Sequence, residues 1–61
     1  MMPAIAKYNV GDWVRFYQAA RLVIGEVRYK RYDSFISRWE YITDVGNVHE
    51  DSILEARCPA A

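Results

Sequence analysis

Sixty-one residues, 52% of them hydrophobic and 26% charged, are enough for one small domain and too few for two hydrophobic cores. One cysteine, Cys58, and one histidine, His49, cannot close a disulfide within the chain or supply the four ligands of a structural zinc site. We therefore expect residues 1–61 to form a single domain that needs no metal and no cofactor and is held together largely by aromatic packing.

The composition also predicts where the protein resides. The longest uncharged apolar run, residues 22–25, is far shorter than the roughly 20 residues that a membrane-spanning helix needs. The first residues do not show a basic stretch followed by a long apolar one, which is the pattern of a secretion signal. We expect a cytoplasmic protein that does not enter a membrane.

Charge is balanced overall but unevenly placed along the chain. Residues 1–32 carry six cations and two carboxylates, and residues 33–61 carry two cations and six carboxylates, so the halves have net charges of +4 and −4. Strands of opposite charge lying side by side would explain this division, and so would a basic patch for phosphate groups. A domain of zero net charge attracts polyanions poorly, which favours the first explanation.

The first strand is predicted after the turn signal of residues 9–12. Alternation over residues 10–17 puts Val14 and Phe16 on one face, with Trp13 and Tyr17 on the other. An amphipathic helix over residues 13–20 is the alternative, because the aromatic side chains also recur at helical spacing.

The longest strand is predicted over residues 22–32, with Val23, Gly25, Val27 and Tyr29 on one face. The opposite face is mostly charged and should meet water. Gly25 inside a strand indicates a bulge or a close approach of another segment.

The second half of the chain is predicted to form three shorter strands. The third strand places Trp39, Tyr41, Thr43 and Val45 on one face. Residues 46–47 have the composition of a tight turn, and Ser52 with Glu55 has the spacing of a capping box. The elements are a loop over 33–37, strands over 38–45 and 48–50, one helical turn starting at 51–52, and a strand over 54–57. Val14, Val27 and Ile53 are predicted core residues.

These elements predict an all-β fold: one small SH3-like barrel of five strands with one short helical turn before the last strand, structured over about residues 9–57. Three stretches carry a resemblance to a known family: Val10–Phe16, Gly25–Val27 and Gly46–Leu54. The chain resembles small SH3-like barrels of the Tudor and KOW type, which serve unrelated functions.

The Tudor resemblance implies a surface of aromatic rings that binds a partner. Tyr29 and Tyr41 are expected to fill the core. Five of the other aromatic residues are the candidates for partner binding: Trp13, Tyr17, Tyr32, Phe35 and Trp39. On this basis we expect a non-enzymatic interaction module that binds a protein partner or a second copy of itself.

The KOW resemblance implies an alternative, a nucleic-acid-binding accessory domain. Basic and aromatic residues interleave after residue 27, as in barrels that stack bases and pair with phosphates. The residues that would contact the nucleic acid are Arg28, Lys30, Arg31 and Arg38.

A second alternative is an oligomeric small-molecule-binding or reductase-like pore. It follows from a more distant resemblance to the type II, plasmid-type dihydrofolate reductases, whose barrels assemble around a pore. Their opening Gly-Asp-x-Val-Arg is similar to residues 11–15 here. Their pore strand reads Val-Gln-Ile-Tyr, whereas this chain has Val48-His49-Glu50-Asp51. A catalytic His49 acting as general base would need a nucleophile and a group that orients its ring, and the sequence spacing supplies neither. We therefore expect no catalysis.

Overall fold

The computed structural model describes residues 5–57. The sequence predicts frayed ends at 1–8 and 58–61, of which residues 1–4 and 58–61, including Cys58, lie outside the described residues. Five antiparallel strands form one sheet in the order β4-β3-β2-β1-β5. The elements are β1 (Trp13–Gln18), β2 (Arg21–Asp33), β3 (Arg38–Thr43), β4 (Asn47–His49), a 3-10 turn (Glu50–Ser52) and β5 (Ile53–Arg57). The predicted all-β class with a helical turn before the last strand is confirmed. Within residues 5–57 no helix has the length and apolar character needed to cross a membrane.

Strand β2 joins the two parts of the sheet. Its first half pairs with β1 and its second half with β3, and the register with β3 shifts between Val27 and Tyr29. Arg28 is the extra residue of this β-bulge, and an extra residue reverses which face the following side chains occupy. The predicted core position of Tyr29 is therefore wrong, because its side chain is 57% exposed. Lys30, predicted on the charged face, lies instead opposite Tyr41 and is half-buried.

Gly25 marks a close approach of another segment. Its pairing with Val14 is regular, so there is no bulge at this glycine. A Cβ atom at Gly25 would lie 2.5 Å from Thr43 Oγ1 and 2.8 Å from Val45 Cγ2. Only glycine leaves room for the β3–β4 turn to pack on β2.

The core lies on one face of the sheet. Alternation of buried and exposed positions along β1 confirms the strand and shows that the helical alternative for residues 13–20 is wrong. Val14, Val27 and Ile53 are buried as predicted. The complete buried hydrophobic set among the described residues is Val14, Phe16, Val27, Tyr41, Val48 and Ile53.

Element boundaries after β2 differ from the prediction at the β3–β4 turn and at the 3-10 turn. Strand β3 ends at Thr43, whose hydroxyl donates to the Gly46 carbonyl over 2.7 Å, so the turn is centred on residues 44–45 instead of 46–47. The 3-10 turn begins at Glu50, and its N-terminal flanking residue, His49, makes no side-chain cap. The predicted capping box is wrong because Ser52 ends that turn.

Residues 7 and 8, which were predicted to fray, are held by backbone hydrogen bonds to Glu50 and to the buried Tyr41. The Tyr41 hydroxyl donates to Glu50 Oε1 over 2.6 Å and accepts from the Tyr8 backbone N–H over 3.2 Å. The Lys7 backbone N–H donates to the same Glu50 oxygen over 2.9 Å. The pKa of the Tyr41 hydroxyl is raised to about 12. Burial is the larger cause, and the hydrogen bond to Glu50 is the second.

Candidate interaction surface

The five aromatic residues predicted to bind a partner do not form one patch. Trp13 and Tyr17 lie on the exposed face of β1, whereas Tyr32, Phe35 and Trp39 belong to the β2–β3 hairpin. Trp13 pairs with Glu26, and Tyr32 follows six residues later along β2, a strand distance of roughly 20 Å. The two groups must therefore be considered separately.

The hairpin group is partly structural. The rings of Tyr32 and Trp39 meet edge to face with centroids 5.5 Å apart, and Trp39 packs against the core. Lys30 Nζ lies 6.0 Å from the Trp39 ring centroid and donates to Asn9 Oδ1 over 3.2 Å. Phe35, at the end of the hairpin, is 96% exposed. Tyr32 and Trp39 thus stabilise the hairpin, and Phe35 alone projects fully into solvent.

Trp13 and Tyr17 belong to a wider apolar surface. Tyr17 faces Leu22 across the β1–β2 pair, and Arg15 faces Ile24. On the other side of β1 the register with β5 shifts, which makes Leu54 an extra, exposed residue. We call this surface the outer face; it consists of Trp13, Arg15, Tyr17, Leu22, Ile24, Glu26, Leu54, Glu55 and Arg57.

The outer face exposes more large apolar side chains than a solvent-facing sheet surface usually does. Its five large hydrophobic residues are all exposed, Trp13 least at 43%. The prediction found Trp13 and Tyr17 but missed Leu22, Ile24 and Leu54. Ile24 stood out in the sequence as the apolar member of the charged face of β2, and Leu54 is exposed by simple alternation because it follows the buried Ile53. The bulge at Leu54 places Glu55 opposite Arg15, which alternation does not predict.

A shallow depression lies on the outer face around β1. Its volume is about 200 Å³, and Trp13, Ile24, Glu55 and Arg57 contribute to its walls. Arg15 also lines it and forms an ion pair with Glu55, Nη2 to Oε1, over 3.3 Å. The depression is small for a metabolite site, which typically occupies about 300–1,000 Å³. It has room for one or two side chains of a protein partner.

The proposed nucleic-acid contacts are engaged with carboxylates or with other polar groups. Arg31 bonds to Glu40 over 2.7 Å, Arg38 to Asp51 over 3.1 Å and Arg28 to Glu26 over 3.2 Å. The hydrogen bond from Arg31 to Glu40 raises the pKa of Arg31 above its ordinary value. Each such exposed ion pair contributes little to the stability of the fold. Its carboxylate nevertheless offsets the positive charge of the arginine, which is the charge that would attract a phosphate.

The division of charge along the chain has a structural counterpart. Arg31 on β2 pairs with Glu40 on β3, and Arg15 on β1 pairs with Glu55 on β5. Both pairs join the basic half to the acidic half across neighbouring strands, as predicted for strands of opposite charge.

The side chains of residues 49–51 also lie within the fold's own contacts. Glu50 accepts from Tyr41 and Lys7, and Asp51 pairs with Arg38. His49 lies on β4 opposite Glu40. In residues 5–57 no group of three or more His, Cys, Asp or Glu side chains is arranged to hold a metal ion.

Comparison with protein families, with curated proteins and with solved structures gives no match for this chain. Its functional interpretation therefore depends on the geometry of its own residues.

Proposed function

We propose that this chain is a non-enzymatic protein-interaction module, built as a small SH3-like barrel, that binds a protein partner through the outer face. The strand order supports the barrel, because β2 serves both parts of the sheet and β5 returns to pair with β1. The bulge at Arg28 supplies the bend that a small barrel requires in such a long strand.

One observation carries the assignment of the surface: five large apolar side chains on three adjacent strands are exposed together. Isolated exposed hydrophobic residues are ordinary, but a contiguous patch on a small domain marks an interaction site. The patch surrounds the Arg15–Glu55 ion pair and is bordered by further charged side chains, so it offers a partner both apolar and charged contacts. Aromatic residues and Arg, which dominate binding energy at interfaces, are both present in Trp13, Tyr17 and Arg15.

Site-specific photo-cross-linking tests this proposal. A photoreactive phenylalanine analogue replaces Leu22 on the outer face in cells that naturally produce the protein, and a second variant carries it at Phe35. Because Phe35 is more exposed than Leu22, it is a stringent control for random collision. We expect a discrete protein adduct from position 22 and none from position 35. An adduct from position 35 alone, or none from either position, would overturn the assignment.

Nucleic-acid binding by Arg28, Lys30, Arg31 and Arg38 stays the alternative prediction, and the observed ion pairs speak against it. We expect no affinity for single-stranded DNA or RNA tighter than about 10 μM at physiological salt. The Arg31→Glu variant should behave like the parent, because Arg31 already shares its charge with Glu40. Fluorescence anisotropy over a salt series measures this. Tight binding that weakens steeply with salt and is lost in Arg31→Glu would favour the nucleic-acid function.

A further inference from the structure

The first half of β2 has a strand neighbour on one side only. Residues 21–26 pair with β1, and pairing with β3 begins at Val27. In an antiparallel ladder, successive residues direct their backbone N–H and C=O groups to opposite sides of the strand. Val27 exchanges backbone hydrogen bonds with residues 11–12, just before β1, so the odd-numbered residues face β1. The backbone groups of Leu22 and Ile24 therefore face away from β1, where no strand within residues 5–57 pairs with them.

Asp44 shows that this side of β2 accepts a hydrogen-bonded neighbour. The Asp44 backbone N–H donates to the Glu26 carbonyl over 3.3 Å, and Asp44 Oδ1 accepts from the Glu26 backbone N–H over 2.8 Å. Asp44 thus takes the place of one residue of a neighbouring strand. The next two outward-facing positions, Ile24 and Leu22, have no such partner in the part of the chain that the structure describes.

The other edges of the sheet carry features that discourage pairing with another chain. The second half of β2 contains the bulge at Arg28 and two further cations, Lys30 and Arg31. Strand β4 has only three residues, and β5 is interrupted by the bulge at Leu54. Short strands, bulges and charged side chains are the usual protection of a sheet edge. Residues 22–24 are regular, uncharged and apolar, so they form the least protected edge of this sheet.

We propose that the unpaired backbone groups of Leu22 and Ile24, which we call the β2 edge, bind an extended segment of another protein as an added antiparallel strand. The inference rests on the proposed function of the outer face and names the kind of partner. Segment residues opposite Leu22 and Ile24 exchange four backbone hydrogen bonds with them. Paired residues of adjacent strands direct their side chains to the same face, so the side chains of these two segment residues extend the outer face.

The charges at the two ends of the β2 edge indicate which sequence fits it. Arg21 lies at one end, and Asp44, bound to Glu26, lies at the other, about 17 Å away along the strand. Neither Arg21 nor Asp44 belongs to an ion pair among residues 5–57. An antiparallel segment therefore fits best with a cation towards its N-terminus, beside Asp44, and a carboxylate towards its C-terminus, beside Arg21. Between them, apolar residues face Ile24 and Leu22.

A short peptide with this pattern tests the β2 edge. The acetylated and amidated peptide Lys-Thr-Val-Thr-Val-Thr-Glu carries the two charges and the two apolar positions in the expected order. The reversed sequence, Glu-Thr-Val-Thr-Val-Thr-Lys, is a control of equal composition. N-methylation of the first valine removes the N–H that bonds to Ile24, whereas N-methylation of the middle threonine changes an N–H that faces away from β2. NMR titration of the isotope-labelled protein measures binding, and hydrogen exchange measures the protection of each amide.

We expect the peptide to bind with a dissociation constant of about 1 mM or tighter and the reversed peptide to bind more weakly. Binding should slow the exchange of the Leu22 and Ile24 amides, which exchange freely in the unbound protein. N-methylation of the first valine, or Ile24→Pro in the protein, should weaken binding about fivefold or more. N-methylation of the middle threonine and Ile24→Val should not. Ile24→Pro removes an N–H that faces away from β1, and a thermal melt confirms that the variant is folded.

Several results would each overturn the proposal: no binding of the peptide, equally tight binding of its reverse, equal effects of the two N-methyl groups, or Leu22 and Ile24 amides already protected in the unbound protein. Protection that rises with protein concentration alone would mean that a second copy occupies the β2 edge, which also contradicts the proposal. The cross-linking experiment separates this inference from the proposed function. An adduct at position 22 without peptide binding overturns the β2 edge and leaves the outer face as an interaction site. The absence of an adduct overturns both.

Discussion

Gly25→Ala should destabilise the fold by on the order of 3 kcal/mol, at the upper end of what overpacking costs. The new methyl group would overlap the Thr43 side chain, which cannot move freely because it is buried and holds the β3–β4 turn through Gly46. A domain of this size has roughly 3–5 kcal/mol of total stability, so the variant should keep at most about 2 kcal/mol, and up to about half of it should be unfolded at room temperature. Urea denaturation followed by circular dichroism measures the effect.

A double-mutant cycle identifies the cause of that loss. Thr43→Ala removes the oxygen nearest to the added methyl group, so Gly25→Ala should cost less in the Thr43→Ala background than in the parent chain. Equal costs in the two backgrounds would show that Thr43 does not enforce glycine at position 25.

Raising the pH from about 10 to about 12 should remove about 2–3 kcal/mol of stability through Tyr41. The pKa of Tyr41 rises from 10.0 in the unfolded chain to about 12 in the fold. The unfolded state therefore loses this proton first, and the contribution is fully present below pH 10 and is lost as the pH rises through 12. Urea midpoints measured between pH 8 and pH 12 follow this loss.

Tyr41→Phe is the matched control, because it keeps the buried ring and removes the ionisable group. Its stability should start lower, since Glu50 and the Tyr8 N–H lose a partner, but it should fall less with pH. Parallel pH profiles in the two proteins would contradict the role assigned to Tyr41.

Alternation of side chains predicted the parts of this fold that depend on one strand alone. It placed Val14, Val27 and Ile53 in the core, and it placed Trp13 on an exposed face. It failed after Arg28, because a bulge depends on how a strand meets its neighbour and is not encoded in the period of the strand itself. Tyr29 was misplaced for that reason.

Only the part of the candidate site that lies on a single strand could be predicted from the sequence. Trp13 and Tyr17 follow from the alternation of β1, but the outer face also needs residues of β2 and β5, whose positions depend on pairing between strands. The attachment of Tyr8 to Tyr41 joins residues 33 positions apart, a separation at which local sequence patterns carry no information. Tyr32 and Trp39 of the hairpin were predicted as exposed binding residues. Instead, their rings contact each other, and Trp39 also packs against the core.

Acrylamide quenching of Trp13 tests most directly whether the outer face is open to solvent, on which its proposed role as an interaction surface rests. The chain has two tryptophans, so Trp39→Phe leaves Trp13 as the single reporter and Trp13→Phe leaves Trp39. We expect acrylamide to quench Trp13 clearly more strongly than Trp39, because Trp13 is exposed on the outer face, whereas Trp39 packs against Tyr32 and the core. Equal quenching of the two tryptophans, or stronger quenching of Trp39, would contradict the account.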